Sequence, residues 1–306
     1  MRRGRFANPN SAGLAYGTSA YLMWGLFPAY FGLLAAAGPV EILAHRIVWT
    51  LLVMLAVMIV AGRLRGLREL DRRTWLLVAA ASAAISTNWG VYVYGVITER
   101  VVECALGYFI NPLVSVLMGV VIFRERLTRT QIAAVALGAL AVVVLTVDYG
   151  RPPVIALILA VSFAIYGLIK KVVPLDPMRS LTAEGVVAAP FALTYVIYLL
   201  VTGAGAFWYG GPKITLLLIA GGFITTVPLL FFGAAAQRIP LTTLGLLQYI
   251  TPALQMAWGV AVVGEAMPPS RWVGFGLIWL ALVVFTADAI VRARRQRREP
   301  ATTPAG

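Results

Sequence analysis

Leu106-Gly107-Tyr108-Phe109-Ile110-Asn111-Pro112-Leu113 returns in outline 140 residues later as Leu246-Leu247-Gln248-Tyr249-Ile250-Thr251-Pro252-Ala253. At the same offset Ile110 meets Ile250, Gly119 meets Gly259 and Glu125 meets Glu265. Each segment is apolar and carries a proline at the same place. A proline inside a helix lacks the N–H for the carbonyl four residues earlier. Pro112 and Pro252 are therefore expected as hinges or helix breaks that free the carbonyls of Tyr108 and Gln248. A long-period repeat with a matched breaker in each copy is the mark of a chain built from two related halves.

Working outward, the chain of 306 residues is 60% hydrophobic and 12% charged. Soluble domains carry about 25% charged residues, so lipid has to solvate much of this surface. Apolar runs fall near residues 12–34, 40–61, 75–97, 101–122, 130–147, 153–169, 182–202, 213–235, 241–263 and 271–290. Crossing the hydrocarbon layer takes about 20 apolar residues. The expected fold is all-α: an integral membrane protein with ten transmembrane helices in two five-helix repeats. The single Cys104 rules out an internal disulfide, and with one His45 no His- or Cys-rich metal site is expected. No cofactor is expected.

The net charge is +13, but the basic residues sit in short loops between apolar runs, so nucleic acid is not the expected partner. On one set of loops lie Arg2, Arg3, Arg5, Arg63, Arg65, Arg68, Arg72, Arg73, Arg124, Arg126, Arg129, Lys170, Lys171, Arg179, Arg238, Arg292, Arg294, Arg295, Arg297 and Arg298. The other set holds only Arg100, Arg151, Lys213 and Arg271, while Arg46 falls inside a run. By the positive-inside rule both termini are cytoplasmic. Five spans per half reverse the second copy in the membrane, giving inverted repeats. Residues 1–150 form the first repeat and 151–291 the second, joined at Arg151-Pro152-Pro153. Residues 292–306 read as a basic, disordered cytoplasmic tail that touches anionic lipid.

The second run opens Glu41-Ile42-Leu43-Ala44-His45-Arg46-Ile47-Val48-Trp49. Glu41, His45 and Trp49 are four apart and share a helix face, with Arg46 turned about 100° away from His45. Ionisable groups within a membrane are costly and default to a functional reading. Glu41, His45 and Glu103 are candidates for proton coupling; the competing reading leaves Glu41 among headgroups and lets His45 and Arg46 snorkel or pack. Candidate solute-binding residues are Trp24, Arg46, Asn88, Trp89, Tyr92, Tyr108, Asn111, Tyr166, Gln248 and Tyr249, since aromatic walls with a few polar groups suit small organic molecules. Gly107 and Gly119, like Gly13-x-x-x-Gly17, read as close-packing positions. Glu184 and Asp288 are expected to be solvated at the cytoplasmic ends of their spans.

The runs Tyr21-Leu22-Met23-Trp24-Gly25-Leu26-Phe27-Pro28-Ala29-Tyr30-Phe31, Glu41 to Arg46, Leu106 to Pro112 and Gln248 to Pro252, with the five-plus-five arrangement, resemble the EamA branch of the drug/metabolite transporter superfamily, and within it the RarD group. The similarity spans about Gly13 to Asp288. It implies a multi-pass permease of the bacterial inner membrane acting on a small-molecule substrate. The group is named for a link to chloramphenicol sensitivity, and other members of the superfamily export amino acids or other metabolites. No Gly-x-x-x-x-Gly-Lys-Ser/Thr loop is present to drive transport by ATP. A membrane-embedded enzyme is the weaker alternative, because one Glu-x-x-x-His pair does not make a zinc site. A sensory or assembly protein on the same fold is the other.

Overall fold

The computed structural model describes residues 9–63, 70–124, 127–236, 238–239 and 247–298. Glu125, the start of the ninth run at 241–246 and the tail beyond Arg298 lie outside them. The helices are α1 (Pro9–Gly25), α2 (Phe27–Gly32), α3 (Pro39–Val60), α4 (Arg72–Ile97), α5 (Val101–Phe123), α6 (Arg129–Tyr149), α7 (Val154–Val172), α8 (Pro177–Thr202), α9 (Ala206–Tyr209), α10 (Pro212–Ala236), α11 (Ile250–Trp258, continued by a π turn over Gly259–Val263) and α12 (Pro269–Arg298). Among the described residues there is no strand. Six helices among the described residues, α3, α4, α6, α8, α10 and α12, are long and apolar enough to cross a bilayer. Large apolar side chains face outward along them, with Val60 90%, Val201 79% and Phe191 78% exposed. In water such a surface would aggregate; in lipid it is the solvated face.

Local chemistry fixes the ends. Asp71 caps α4 by accepting from Thr74 N at 3.1 Å. Thr128 and Gln131 form a reciprocal capping box at α6. Asp176 accepts from the amides of Met178 and Arg179, with Pro177 preset for the first turn of α8. At the far ends of α6 and α8, Gly150 and Gly203 take left-handed caps with φ of 65° and 69°.

Two large hydrophobic cores, with two smaller ones around Tyr21, Ala235 and Ile239 and around Ala44, Ile47 and Ala192, hold the helices together. Leu106, Phe109, Leu145, Phe275 and Ile278 join α5, α6 and α12, with Met256 of α11 added. Phe31, Leu34, Ile42, Val93, Leu159 and Leu218 join α2, α3, α4, α7 and α10. The main pairings are α6 on α12, α5 on α7 and α11, α3 on α8 and α10, α1 on α10 and α11, and α4 on α7 and α8. Glycine permits the tightest of these. A Cβ on Gly107 would lie 2.7 Å from the Ala156 carbonyl oxygen, and one on Gly222 would lie 2.6 Å from the carbonyl carbon of Trp49.

Several sequence expectations change. Pro112 lies inside an unbroken α5, and Pro252 sits in the first turn of α11, where a missing N–H is tolerated. The Gln248 carbonyl is not free, since Thr251 N donates to it at 3.3 Å. The interruption falls instead at Leu26, between α1 and α2. Pro28 removes the donor for Trp24 O, and the Gln255 amide from α11 supplies one at 3.3 Å. Residues 292–298, expected to be disordered, continue α12 as helix.

Candidate functional site

Gly38 is extended and Pro39 opens α3 at its first position, so the helix starts abruptly and carries Arg46 about 10 Å along its axis. Glu41, His45 and Trp49 do share a face, and it meets one small element. Glu41 caps α9, accepting from Ala206 N at 3.0 Å and Phe207 N at 2.9 Å. The His45 ring stacks on Phe207 with centroids 4.5 Å apart, and Trp49 lies 6.4 Å from the same ring.

Arg46 is turned about 100° from His45 and is 4% exposed. Its Nε donates to Thr225 Oγ1 of α10 at 2.9 Å. The guanidinium carbon sits 4.1 Å from the centre of the Trp89 ring, 5.4 Å from Phe27 and 5.5 Å from Phe31. Its Nη1 has no hydrogen-bond partner. Among the described residues no carboxylate pairs with it. Placing an arginine at the bilayer centre costs about 2.5–3.5 kcal/mol on insertion scales. A cation–π contact returns about 0.5–2 kcal/mol. The aromatic cage thus offsets part of the cost and leaves a cation short of a counter-charge.

The neighbouring amides are differently employed. Asn88 donates through Nδ2 to Leu159 O at 3.0 Å and Ser162 Oγ at 3.1 Å, and its Oδ1 accepts from Tyr108 OH at 3.2 Å. Asn111 donates to Ala160 O at 3.0 Å. Both amides tie helices to the backbone of α7. The buried Tyr92 hydroxyl is unpartnered, and its ring packs 6.0 Å from Phe31 and 5.8 Å from Tyr108. Arg46, Trp89, Tyr92 and Tyr108 therefore belong to one neighbourhood. Trp24 packs instead on Tyr21 and Phe232, and Tyr249 on the α5–α12 core. Among the described residues no hydrogen bond joins Gln248 to Arg46.

A cavity of about 20 Å³, room for roughly one water, separates Thr50 and Trp89 from Glu184. Here the structure corrects the sequence reading. Glu184 is 3% exposed rather than solvated. It accepts from Lys170 Nζ at 2.6 Å, Ser180 Oγ at 2.8 Å and Tyr166 OH at 3.2 Å. Tyr166 thus belongs to this ionic cluster. Asp288 is half-buried and accepts from Thr128 Oγ1 at 3.5 Å.

A larger pocket of about 280 Å³ lies at the other end of α7. There Glu103 accepts from Arg100 Nη2 at 2.6 Å, Arg151 Nη2 at 3.3 Å and Ile155 N at 3.0 Å. Both oxygens of Glu265 accept from Val102 N, at 3.0 and 3.1 Å. Burial pushes the Glu265 carboxyl above its ordinary range, opposed by that backbone amide.

The EamA-like transporter family matches residues 11–147. Protein RarD of Streptomyces exfoliatus is 51% identical, over 95% of this chain and 93% of its own length. The chain belongs to the RarD group of EamA-type permeases. Protein RarD of Escherichia coli K12 is 36% identical over 94% of this chain and 98% of its own. The chloramphenicol-sensitive protein RarD of Pseudomonas aeruginosa is 28% identical over 94% and 97%. A crystal structure with 18% identity shares the fold, with a TM-score of 0.58 over 90% of this chain and 98% of that one. This RarD-group chain is a multi-pass membrane protein with a transporter's ancestry. Its Arg46 keeps one guanidinium nitrogen, Nη1, without a hydrogen-bond partner, while the amides of Asn88 and Asn111 are paired.

Proposed function

We propose that this chain is a secondary-active permease of the bacterial inner membrane, exporting a small organic metabolite or drug-like solute by alternating access. In this reading residues 1–150 and 151–291 form inverted five-helix repeats, ten spans in all, with both termini cytoplasmic. The observation that carries it is the helix pairing. When the halves exchange, α1 with α2 maps to α7, α3 to α8, α4 to α10, α5 to α11 and α6 to α12. Under that swap α5–α7 becomes α11–α1, α4–α7 becomes α10–α1, and α3–α10 becomes α8–α4; α3–α8, α5–α11 and α6–α12 map to themselves. The hydrogen bonds follow the same rule. Asn111 donates to Ala160 O, and Thr251, 140 residues later, donates to Tyr21 O at 2.8 Å. Such a pairing gives two equivalent packings, as rocking between two open states requires. Arg46 lies on this seam, reaching from the first half to Thr225 in the second.

In this assignment Arg46, Trp89 and Tyr92 meet the solute, while Asn88 and Asn111 hold the walls. Glu41 and His45, buried against α9, are the groups through which a proton gradient would act. The test is flux into liposomes holding the purified protein, with and without an imposed pH gradient. The panel includes amino acids and, because one relative carries it in its name, chloramphenicol. At least one solute should move faster than through protein-free liposomes, and Arg46→Ala should remove the excess. No excess flux for any solute, or labelling that places the two termini on opposite sides, refutes the reading.

A further inference from the structure

The unsatisfied groups around Arg46 have a chemical bias. Arg46 Nη1, Trp49 Nε1 and Thr50 Oγ1 are buried without hydrogen-bond partners, and all three lie within five residues of α3. The Tyr92 hydroxyl, also unpartnered, joins them through Phe31, which packs against both Tyr92 and Arg46. Two of these atoms only donate, and the two hydroxyls each have a proton without an acceptor. The surplus is of donors, next to a full positive charge. The nearby carboxylates are engaged elsewhere. Glu41 faces the amides of Ala206 and Phe207, and Glu184 faces Lys170, Ser180 and Tyr166. Around the guanidinium lie Thr225 Oγ1, which accepts from Nε, and the rings of Phe27, Phe31 and Trp89.

We propose that Arg46 is the carboxylate-binding residue of the solute site, so that the solute class is small organic anions or zwitterions with an apolar or aromatic body. This deepens the permease reading and rests on it for the word solute. A carboxylate accepts hydrogen bonds without donating any, and a guanidinium presents two parallel N–H groups to it. The body of the ligand then lies against the aromatic rings that now shield the cation. Ligand entry requires those rings to part. The interruption at Leu26, next to Phe27, is where α2 could move without bending α1.

The experiment uses purified full-length protein in detergent and in phosphatidylcholine vesicles. Thermal unfolding and tryptophan fluorescence are followed against phenylacetate and 4-methylvalerate, their primary amides, and leucine. A carboxylate can accept a charge-assisted, bidentate pair that a neutral amide cannot, so at least one carboxylate should bind about tenfold or more tighter than its amide. Arg46→Gln should erase that preference, and Arg46→Lys should retain part of it. Where Arg46→Gln does not elute as a monodisperse protein, the comparison of wild type with Arg46→Lys decides. Equal binding of acid and amide, preference surviving in Arg46→Gln, or no binding by any carboxylate overturns the proposal. So does a shift of the same size from chloride, from inorganic phosphate, or on adding phosphatidylglycerol alone, which would assign the cation to an inorganic ion or a lipid headgroup. Carboxylate binding without flux would defeat the permease reading and leave this site standing. Flux confined to neutral solutes would do the reverse.

Discussion

Lys170 and Glu184 offer the sharpest test of the interior electrostatics. Lys170 Nζ lies 2.6 Å from Glu184 Oε1, and the side chains are 27% and 3% exposed. Replacing Lys170 by Met removes the cation and keeps most of the aliphatic volume. Glu184 then stays buried with only Ser180 and Tyr166 as side-chain donors. Breaking a buried pair from one side costs about 3–5 kcal/mol, and the partial exposure of Lys170 favours the lower end, about 3 kcal/mol. With an unfolding entropy near 2.1 cal/mol/K per residue, a chain of this length melts roughly 5 °C lower. Glu184→Gln should cost less, because the freed ammonium can turn to water while the buried carboxylate cannot. The double variant, with neither charge, should recover to within about 2 °C of wild type. Melting of the purified protein in one detergent, followed by tryptophan fluorescence, supplies all four values. A fall under 2 °C for Lys170→Met, or a double variant no better than that single one, would refute the pairing as an energetic unit.

Other perturbations follow from the geometry. Gln255→Leu strands the Trp24 carbonyl that Pro28 has already left without its helical donor; the expected loss is about 1–3 kcal/mol, read as a lower melting temperature, with Pro28→Ala in the same background restoring part of it. Gly222→Ala drives a Cβ into the Trp49 backbone, costing about 1–3 kcal/mol and parting α3 from α10, so flux should fall together with stability. Because burial raises the Glu265 carboxyl, its contribution to stability is fully present below the ordinary glutamate range near 4.3 and is lost as pH rises through the raised value. Glu265→Gln, which keeps an acceptor for Val102 N, should flatten that segment of the stability–pH curve, and an unchanged slope would contradict the assignment.

How much of this was readable from the chain depends on whether the deciding partner was local. Helix positions follow from the apolar runs, and the common face of Glu41, His45 and Trp49 follows from a spacing of four. Arg46 stood out because a charge inside an apolar run is costly wherever it points. The interruption at Leu26 was also within reach, since the proline rule applied at Pro112 and Pro252 holds equally for Pro28. The burial of Glu184 is hidden in the sequence because α8 begins at Pro177, five residues before its apolar run, which puts Glu184 two turns inside the helix; its partner Lys170 comes from a different helix. The acceptor of the Asn111 amide is a backbone carbonyl of α7, and a backbone acceptor leaves no mark in sequence. The basic run from Arg292 to Arg298 has the charge of a tail but the helix propensity of arginine, a good helix former, and it continues α12.

The distribution of these bonds bears on how two packings could exchange. Toward the end of α1 and between the two ends of α7 the grips are neutral: Thr251 and Gln255 on the carbonyls of Tyr21 and Trp24, Asn88 and Asn111 on those of Leu159 and Ala160. Hydrogen bonds between membrane helices average about 0.6 kcal/mol, so each can be broken and remade at modest cost. The charged contacts sit at opposite ends of α7. Glu103 holds its first turn through Ile155 N while pairing with Arg100 and Arg151, and Lys170 holds its last turn to Glu184 of α8. A helix fastened weakly at its middle and strongly at both ends is suited to releasing one end while the other stays closed. In the proposed permease those terminal ion pairs would act as the two gates, and the middle would only guide the motion. Breaking the Glu103 end with Glu103→Gln should then favour opening on that side alone, so labelling of a cysteine placed at the exposed Pro152 would rise while one placed at Arg179 stayed unchanged. Equal changes at both positions would mean that α7 loosens as a whole and that its ends do not gate separately.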